Sequence, residues 1–142
     1  MERFLGKYSP YLYALLRIVA GVMFAMHGSQ KLFGVPGGGD PVDIASLMGV
    51  AGIVELVGGT LIAIGFMTSI AAFIASGQMA VAFFMAHVPQ GLNPLLNEGE
   101  LAVLYCFLFL YMASRGSGIW SVDSLLPGRR AAETSHHRHG VS

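Results

Sequence analysis

Five ionisable side chains lie in or beside apolar stretches of this sequence, where charge is costly. They are two carboxylates, two imidazoles and an ammonium group: Glu55, Glu100, His27, His87 and Lys31. A charged group near the middle of a membrane span costs roughly 2.5–3.5 kcal/mol on insertion scales, so it calls for a partner or a function. Imidazoles and carboxylates that share a site can pair charges or relay protons. The depth and spacing of these residues therefore bear directly on the chemistry of the chain.

The composition indicates that lipid surrounds most of the chain. Of 142 residues, 54% are hydrophobic and only 11% are charged, and the mean hydropathy is +0.64. A soluble domain carries about 25% charged residues, because water must wet its surface. Eight basic and eight acidic residues balance, so nothing in the charge suggests nucleic-acid binding. The single cysteine, Cys106, excludes dithiol chemistry within the chain.

The hydrophobic pattern predicts an all-α, transmembrane four-helix bundle, since each apolar stretch can supply about 20 residues of helix. Helices are predicted at about 11–33, 41–66, 69–87 and 98–114, within a membrane domain that covers residues 1–126. Asp40 followed by Pro41 is typical of a helix start and predicts where the second helix begins. Residues 127–142 form a polar tail that is predicted to be disordered and cytoplasmic.

The basic residues orient this bundle. Both termini and the loop after the second helix share a side that carries Arg3, Lys7, Arg115 and the arginines of the tail, whereas the other side has only Lys31. The positive-inside bias therefore predicts a multi-pass protein of a bacterial-type inner (plasma) membrane with both termini cytoplasmic.

Counting along each predicted helix places the five ionisable residues in the same, outer half of the bundle. They are predicted to line a ligand-binding polar pocket between the helices: His27, Lys31, Glu55, His87 and Glu100. Glu55 lies deepest and would form the floor of the pocket. Gln78, Tyr105 and Arg17 are predicted in structural or secondary roles, and Arg17 would bind either a lipid phosphate or an acceptor such as Tyr105.

Simpler interpretations of the same residues remain open. Lys31 can extend its ammonium group to the membrane interface, and Glu98 and Glu100 can stabilise the dipole in the first turn of a helix. Glu55 can form a purely structural ion pair. Ligation of haem by His27 and His87 is less favoured, because neither lies deep in a span. The sequence has no haem, flavin or dithiol signature, and no metal site is predicted.

Several segments, taken in order, resemble the DoxX family of small four-helix membrane proteins. They are Arg17-Ile18, His27-Gly28-Ser29-Gln30-Lys31-Leu32, Glu55-Leu56-Val57-Gly58-Gly59, Ile64-Gly65-Phe66, Met79 through His87, Asn97-Glu98-Gly99-Glu100, Leu104-Tyr105 and Gly116 through Asp123. The resemblance covers roughly residues 11–125 and implies the four-helix fold. It also implies a link to a membrane complex that passes electrons from thiosulfate to quinone, to redox stress, or to membrane-embedded assembly factors.

Three functions follow as hypotheses. In the first, the chain is an integral membrane subunit of a quinone-linked oxidoreductase system, whose pocket binds a quinone headgroup or a small acid. It would not be catalytic alone, and would need a bound quinone or a membrane or redox protein partner. The second is a non-catalytic scaffold or assembly factor, whose small residues Gly52, Gly59, Ala75 and Gly77 pack against other membrane proteins. The third is a small-molecule carrier, for which a homo-oligomer would supply enough helices.

Overall fold

The computed structural model describes residues 1–37, 39–96 and 98–126, and these residues form helices and loops without a strand. The α-helices are α1 Glu2–Leu5, α2 Ser9–Phe33, α3 Leu47–Ile64, α4 Thr68–Ala82, α5 Glu100–Arg115 and α6 Val122–Leu125. A 3-10 turn, Gly6–Tyr8, joins α1 to α2. Beyond α4 the chain continues through a π-helical turn, Phe83–His87, and a 3-10 turn, Val88–Gln90. The predicted tail, 127–142, lies outside the described residues.

Among the described residues, three helical segments are long and apolar enough to cross a membrane: Glu2–Phe33, Leu47–Ile64 and Thr68–Gln90. Their outward surfaces carry large apolar side chains such as Phe73, which is 65% exposed. An exterior of this kind is suited to lipid rather than to water. The predicted all-α membrane bundle is therefore confirmed. Helix α5 has 16 residues, about 24 Å at 1.5 Å per residue, and its role as a fourth span stays a prediction.

The start of α3 differs from the sequence prediction. The helix begins at Leu47 rather than at Pro41, because Ser46 and not Asp40 is its cap. The Ser46 hydroxyl oxygen accepts a hydrogen bond from a backbone N–H of the first turn at 3.0 Å, which satisfies a donor that the helix leaves unpaired. Asp43 lies before the helix, where its Oδ1 atom accepts a hydrogen bond from the Ala45 N–H at 3.1 Å.

Glycines allow α2 and α3 to pack backbone against backbone. Gly21 lies against Gly59, and Gly28 lies against Gly52, so each helix contributes two glycines seven residues apart. A Cβ atom on Gly59 would lie only 2.4 Å from the backbone nitrogen of Ala25, and one on Gly28 would meet the α3 backbone at 2.4 Å. Side-chain carbons do not fit at such distances, so the close approach depends on glycine at these positions.

This packing corrects one prediction about partner binding. Gly52, Gly59 and Ala75 were expected to form small-residue faces for other membrane proteins, but all three are buried inside the bundle. Gly77 alone of the four faces outward, with no atom within 4 Å of the position of a Cβ. The small residues are used to assemble this chain, which removes most of the surface on which the scaffold hypothesis depended.

Helix α5 completes the bundle by packing along α4, while α4 also contacts α3. Aromatic rings fill the wider space between α2 and α5. Phe24 lies 5.7 Å from Tyr105 and 4.9 Å from Phe109, measured between ring centroids. Tyr105 and Phe109 also stack on each other at 5.2 Å. These rings separate two polar regions, one at each end of the bundle.

Candidate functional site

A cavity of about 310 Å³ opens among α2, α3, α4 and α5, at the end where α2 finishes and α5 begins. Six polar residues contribute to its lining: His27, Lys31, Glu55, His87, Glu98 and Tyr105. The remaining lining residues are apolar: Phe24, Met48, Met79, Ala82, Ala86, Leu101 and Ala102. Glu55 and Phe24, each 1% exposed, form the floor, whereas the exposed residues Met48 and Glu98 lie at the mouth.

Glu55 joins three helices at the floor of this cavity. Its Oε1 atom accepts a hydrogen bond from Lys31 Nζ of α2 at 2.5 Å and another from Gln78 Nε2 of α4 at 3.0 Å. Within the described residues this is the only ion pair between side chains. Because α2 and α3 touch through glycine, the short ammonium–carboxylate distance is set by the same packing that builds the bundle.

Three buried polar atoms at this end have no hydrogen-bond partner among the described residues. They are Glu55 Oε2, Gln78 Oε1 and Tyr105 Oη. A buried polar atom without a partner costs roughly 1–3 kcal/mol, and more when it is charged. Glu55 and Tyr105 both line the cavity, so two of the three unpartnered atoms belong to residues that surround it. This feature distinguishes the cavity from a packing defect, which would have an apolar lining.

The two imidazoles stand on opposite walls. The His27 ring lies edge-on to Tyr105 at 6.3 Å, and the His87 ring lies 6.2 Å from that of Phe83. His87 belongs to the π-helical turn Phe83–His87, which extends α4 to the mouth of the cavity. Single π-helical turns occur frequently at functional sites. No group of three or more His, Cys, Asp or Glu side chains suited to a metal ion occurs in the described part of the chain.

All of the predicted ligand-binding residues except Glu100 line this cavity. Glu100 begins α5, is exposed and lies outside the lining, and Glu98 takes the place expected for it. Glu98 has a left-handed backbone with φ of 61°, so the chain turns sharply just before the helix starts. The sequence gives no signal for this turn, because a non-glycine residue seldom adopts it. Of the secondary residues, Gln78 binds Glu55 and Tyr105 lines the cavity.

Arg17 lies in a second polar region, at the other end of the bundle, and is fully buried. Its Nε donates to the backbone oxygen of Ile62 at 3.1 Å. Its remaining nitrogens donate to three backbone oxygens of the segment after α5: those of Ser117, Ile119 (3.0 Å) and Trp120 (2.6 Å). The guanidinium group therefore ties the carboxyl-terminal segment to α2 and α3.

This arrangement corrects the prediction for Arg17, which was expected to bind Tyr105 or a lipid phosphate. Its burial keeps it from the lipid surface, and its acceptors are backbone carbonyls that a sequence pattern does not reveal. Asp123, which the sequence placed in a family-like segment but without a role, strengthens the same region. Its Oδ2 atom accepts from the Met67 N–H at 3.0 Å and from the Ser117 hydroxyl at 2.6 Å. The polar cluster of Ser117 and Asp123 after an apolar span was the available signal.

Together, the fold and this site define a small multi-pass membrane protein whose helices enclose, near one end, a cavity lined by both polar and apolar residues. The sequence model of the DoxX family matches residues 12–88. An uncharacterized protein of Haemophilus influenzae is 44% identical over 127 residues, which cover 84% of this chain and 94% of that protein. No solved structure matches the chain. The chain belongs to the DoxX family, and the matched range includes every polar lining residue except Glu98 and Tyr105.

Proposed function

We propose that this protein is an integral membrane subunit of a quinone-linked oxidoreductase system and that its cavity binds a quinone headgroup. The observation that carries the proposal is Glu55 Oε2, a buried carboxylate oxygen without a described partner, at the floor of a mostly apolar cavity. A quinone headgroup is a flat apolar ring with oxygens at opposite edges. Such a ligand needs apolar walls and a few polar groups, which is the usual design of small-molecule sites.

The lining residues include both apolar surfaces for the ring and polar groups for its oxygens. Phe24, Met79 and the Tyr105 ring offer surfaces on which a flat ring can pack. Glu55 and the Tyr105 hydroxyl offer hydrogen bonds to its oxygens. The volume of about 310 Å³ lies at the lower end of the range for small-molecule sites, so the headgroup would fill the cavity and a hydrophobic tail would leave through the mouth into lipid.

His27 and His87 both line the cavity, and an imidazole ring nitrogen can act as a proton donor or acceptor. Reduction or oxidation of a quinone moves two protons as well as two electrons, so imidazoles beside the ring would be useful to it. Electrons must come from or go to another protein, because the sequence contains no haem, flavin or dithiol signature. The proposal therefore includes a membrane or redox protein partner.

The proposed setting is an inner membrane with α5 as the fourth span and both termini in the cytoplasm. The support is the excess of arginine and lysine at the end of the bundle that carries Arg3, Lys7 and Arg115. In this orientation the cavity opens towards the extracytoplasmic face, since it lies at the opposite end of the helices.

Equilibrium binding of decylubiquinone and decylubiquinol to the purified protein in micelles tests the proposal, with empty micelles as the blank. Ala82→Phe places a ring in the cavity and should weaken both forms at least tenfold. Ala80→Phe makes the same change at a residue of α4 outside the lining and should leave binding at the wild-type level. His87→Ala should weaken binding as well.

Two results would contradict the proposal: no binding to the wild-type protein above the blank, or equal binding by the wild-type protein and Ala82→Phe. A stable membrane protein that co-purifies with the chain in the absence of any quinone binding would favour the scaffold or assembly function instead. Ligand transport by reconstituted vesicles, without quinone binding, would favour the carrier.

A further inference from the structure

The hydrogen bonds at the floor of the cavity fix the orientation of the Gln78 amide. A carboxylate can only accept hydrogen bonds, so Gln78 must present its Nε2 donor to Glu55, as it does at 3.0 Å. Lys31 Nζ donates to the same Oε1 atom. Both described donors therefore converge on one oxygen, and Glu55 Oε2 is left as an acceptor without a donor.

Apart from Glu98, a carboxylate that is exposed at the mouth, the other polar side chains that line the cavity are able to donate hydrogen bonds. Lys31 has further N–H groups beyond the one that binds Glu55, and the Tyr105 hydroxyl can donate or accept. His27 and His87 can do either, according to the ring nitrogen that carries the proton, so they do not discriminate. Gln78 contacts the floor only through Glu55 and does not line the cavity. Away from the mouth, Glu55 is therefore the one described polar lining residue whose side chain is restricted to accepting hydrogen bonds.

The oxidised and reduced forms of a quinone differ in whether their oxygens can donate hydrogen bonds. The carbonyl oxygens of a quinone only accept, so a bound quinone can use Lys31 and Tyr105 but leaves Glu55 Oε2 unpaired and faces a carboxylate with its own lone pairs. The hydroxyl groups of a hydroquinone both accept and donate. They can use the same two donors and also donate to Glu55 Oε2.

We infer that the cavity binds the reduced, para-dihydroxy form of its ligand more tightly than the oxidised form; this rests on the proposed function. A buried acceptor left unpaired is expensive, and the expected preference is at least tenfold. For a two-electron couple a tenfold preference corresponds to about 30 mV. Because the reduced form is favoured, the bound couple has a higher reduction potential than the free couple.

The test compares the dissociation constants of decylubiquinol and decylubiquinone under anaerobic conditions. The wild-type protein should bind decylubiquinol at least tenfold more tightly. Glu55→Gln should reverse the order, because Lys31 and Gln78 need an acceptor at the position of Oε1. The new amide oxygen therefore stays there, and the amide NH₂ group, a donor, replaces Oε2. Glu100→Gln makes the same change at an exposed residue outside the cavity and should keep the wild-type ratio.

Equal affinities of the wild-type protein for the two forms, or tighter binding of decylubiquinone, would overturn the inference and leave the proposed function standing. The inference is also overturned if a folded Glu55→Gln variant keeps the wild-type ratio of the two dissociation constants. If neither form binds the wild-type protein, the proposed function itself fails. The wild-type ratio decides the matter even where Glu55→Gln does not fold, which circular dichroism would reveal.

Discussion

Replacing Gly59 by alanine tests how α2 and α3 are held together. The added Cβ would lie 2.4 Å from Ala25 N and 2.6 Å from Gly21 O, whereas ordinary contacts begin at 3.4 Å. Both neighbours are backbone atoms, so a side-chain rotation cannot relieve the clash, and the helices must separate by about 1 Å. Gly58 is the matched control in the same helix, because its Cβ would meet only the Phe24 ring at 4.0 Å.

Two opposing contributions determine how these substitutions change the free energy of unfolding. Overpacking of this kind typically costs about 1–3 kcal/mol, and alanine in place of glycine within a helix contributes about 0.5–1 kcal/mol of stability. Gly59→Ala should therefore lower the free energy of unfolding by about 1–2 kcal/mol, while Gly58→Ala should leave it unchanged or raise it slightly. Unfolding by sodium dodecyl sulfate in mixed micelles, followed by circular dichroism, measures both. Equal stabilities of Gly59→Ala and Gly58→Ala would refute the backbone packing of α2 on α3.

Three further predictions concern the buried charges. Arg17→Lys should lower the free energy of unfolding by about 3 kcal/mol or more, because an ammonium group cannot reach all four carbonyls and each one left unpaired costs about 1–3 kcal/mol. Wild-type stability of this variant in the same titration would contradict the role of Arg17 in holding these carbonyls. Asp123→Ala should cost about 1–3 kcal/mol and Asp123→Asn clearly less, since an amide oxygen still accepts; identical losses in thermal unfolding would argue against these hydrogen bonds. Lys31→Met should destabilise the protein by about 3 kcal/mol, and combining it with Glu55→Gln should recover part of that loss, because breaking a buried pair costs more than removing both partners. Additive losses in a double-mutant cycle would show that the two side chains are not coupled.

Much of the membrane architecture was predictable because hydrocarbon imposes simple rules. Long apolar stretches must be helices, and the depth of a residue follows from its position along the helix. Counting alone therefore grouped His27, Lys31, Glu55 and His87, and the structure brings all four to one cavity. Gly52 and Gly59 were likewise predicted to pack against another helix, although that helix is α2 of the same chain and not part of another protein.

What the sequence did not reveal depends on the backbone of the loops. The acceptors of Arg17 are carbonyls of residues after α5, and any residue type supplies a carbonyl, so no pattern marks them. Glu98 replaces Glu100 at the cavity because of one left-handed residue. Helix α3 begins at Leu47 and not at Pro41, because Ser46 caps it in place of Asp40. Serine and aspartate are both good caps, so the sequence does not show which of the two is used.

Binding of a quinone headgroup beside Glu55 is tested most directly by an experimental structure of the protein in a lipid nanodisc with added decylubiquinol. We expect the headgroup to lie between Phe24, Glu55 and Tyr105, with one of its hydroxyl oxygens within hydrogen-bond distance of Glu55 Oε2. A structure at saturating decylubiquinol in which the headgroup is found elsewhere, and Glu55 Oε2 is instead bonded to the Tyr105 hydroxyl, would contradict it.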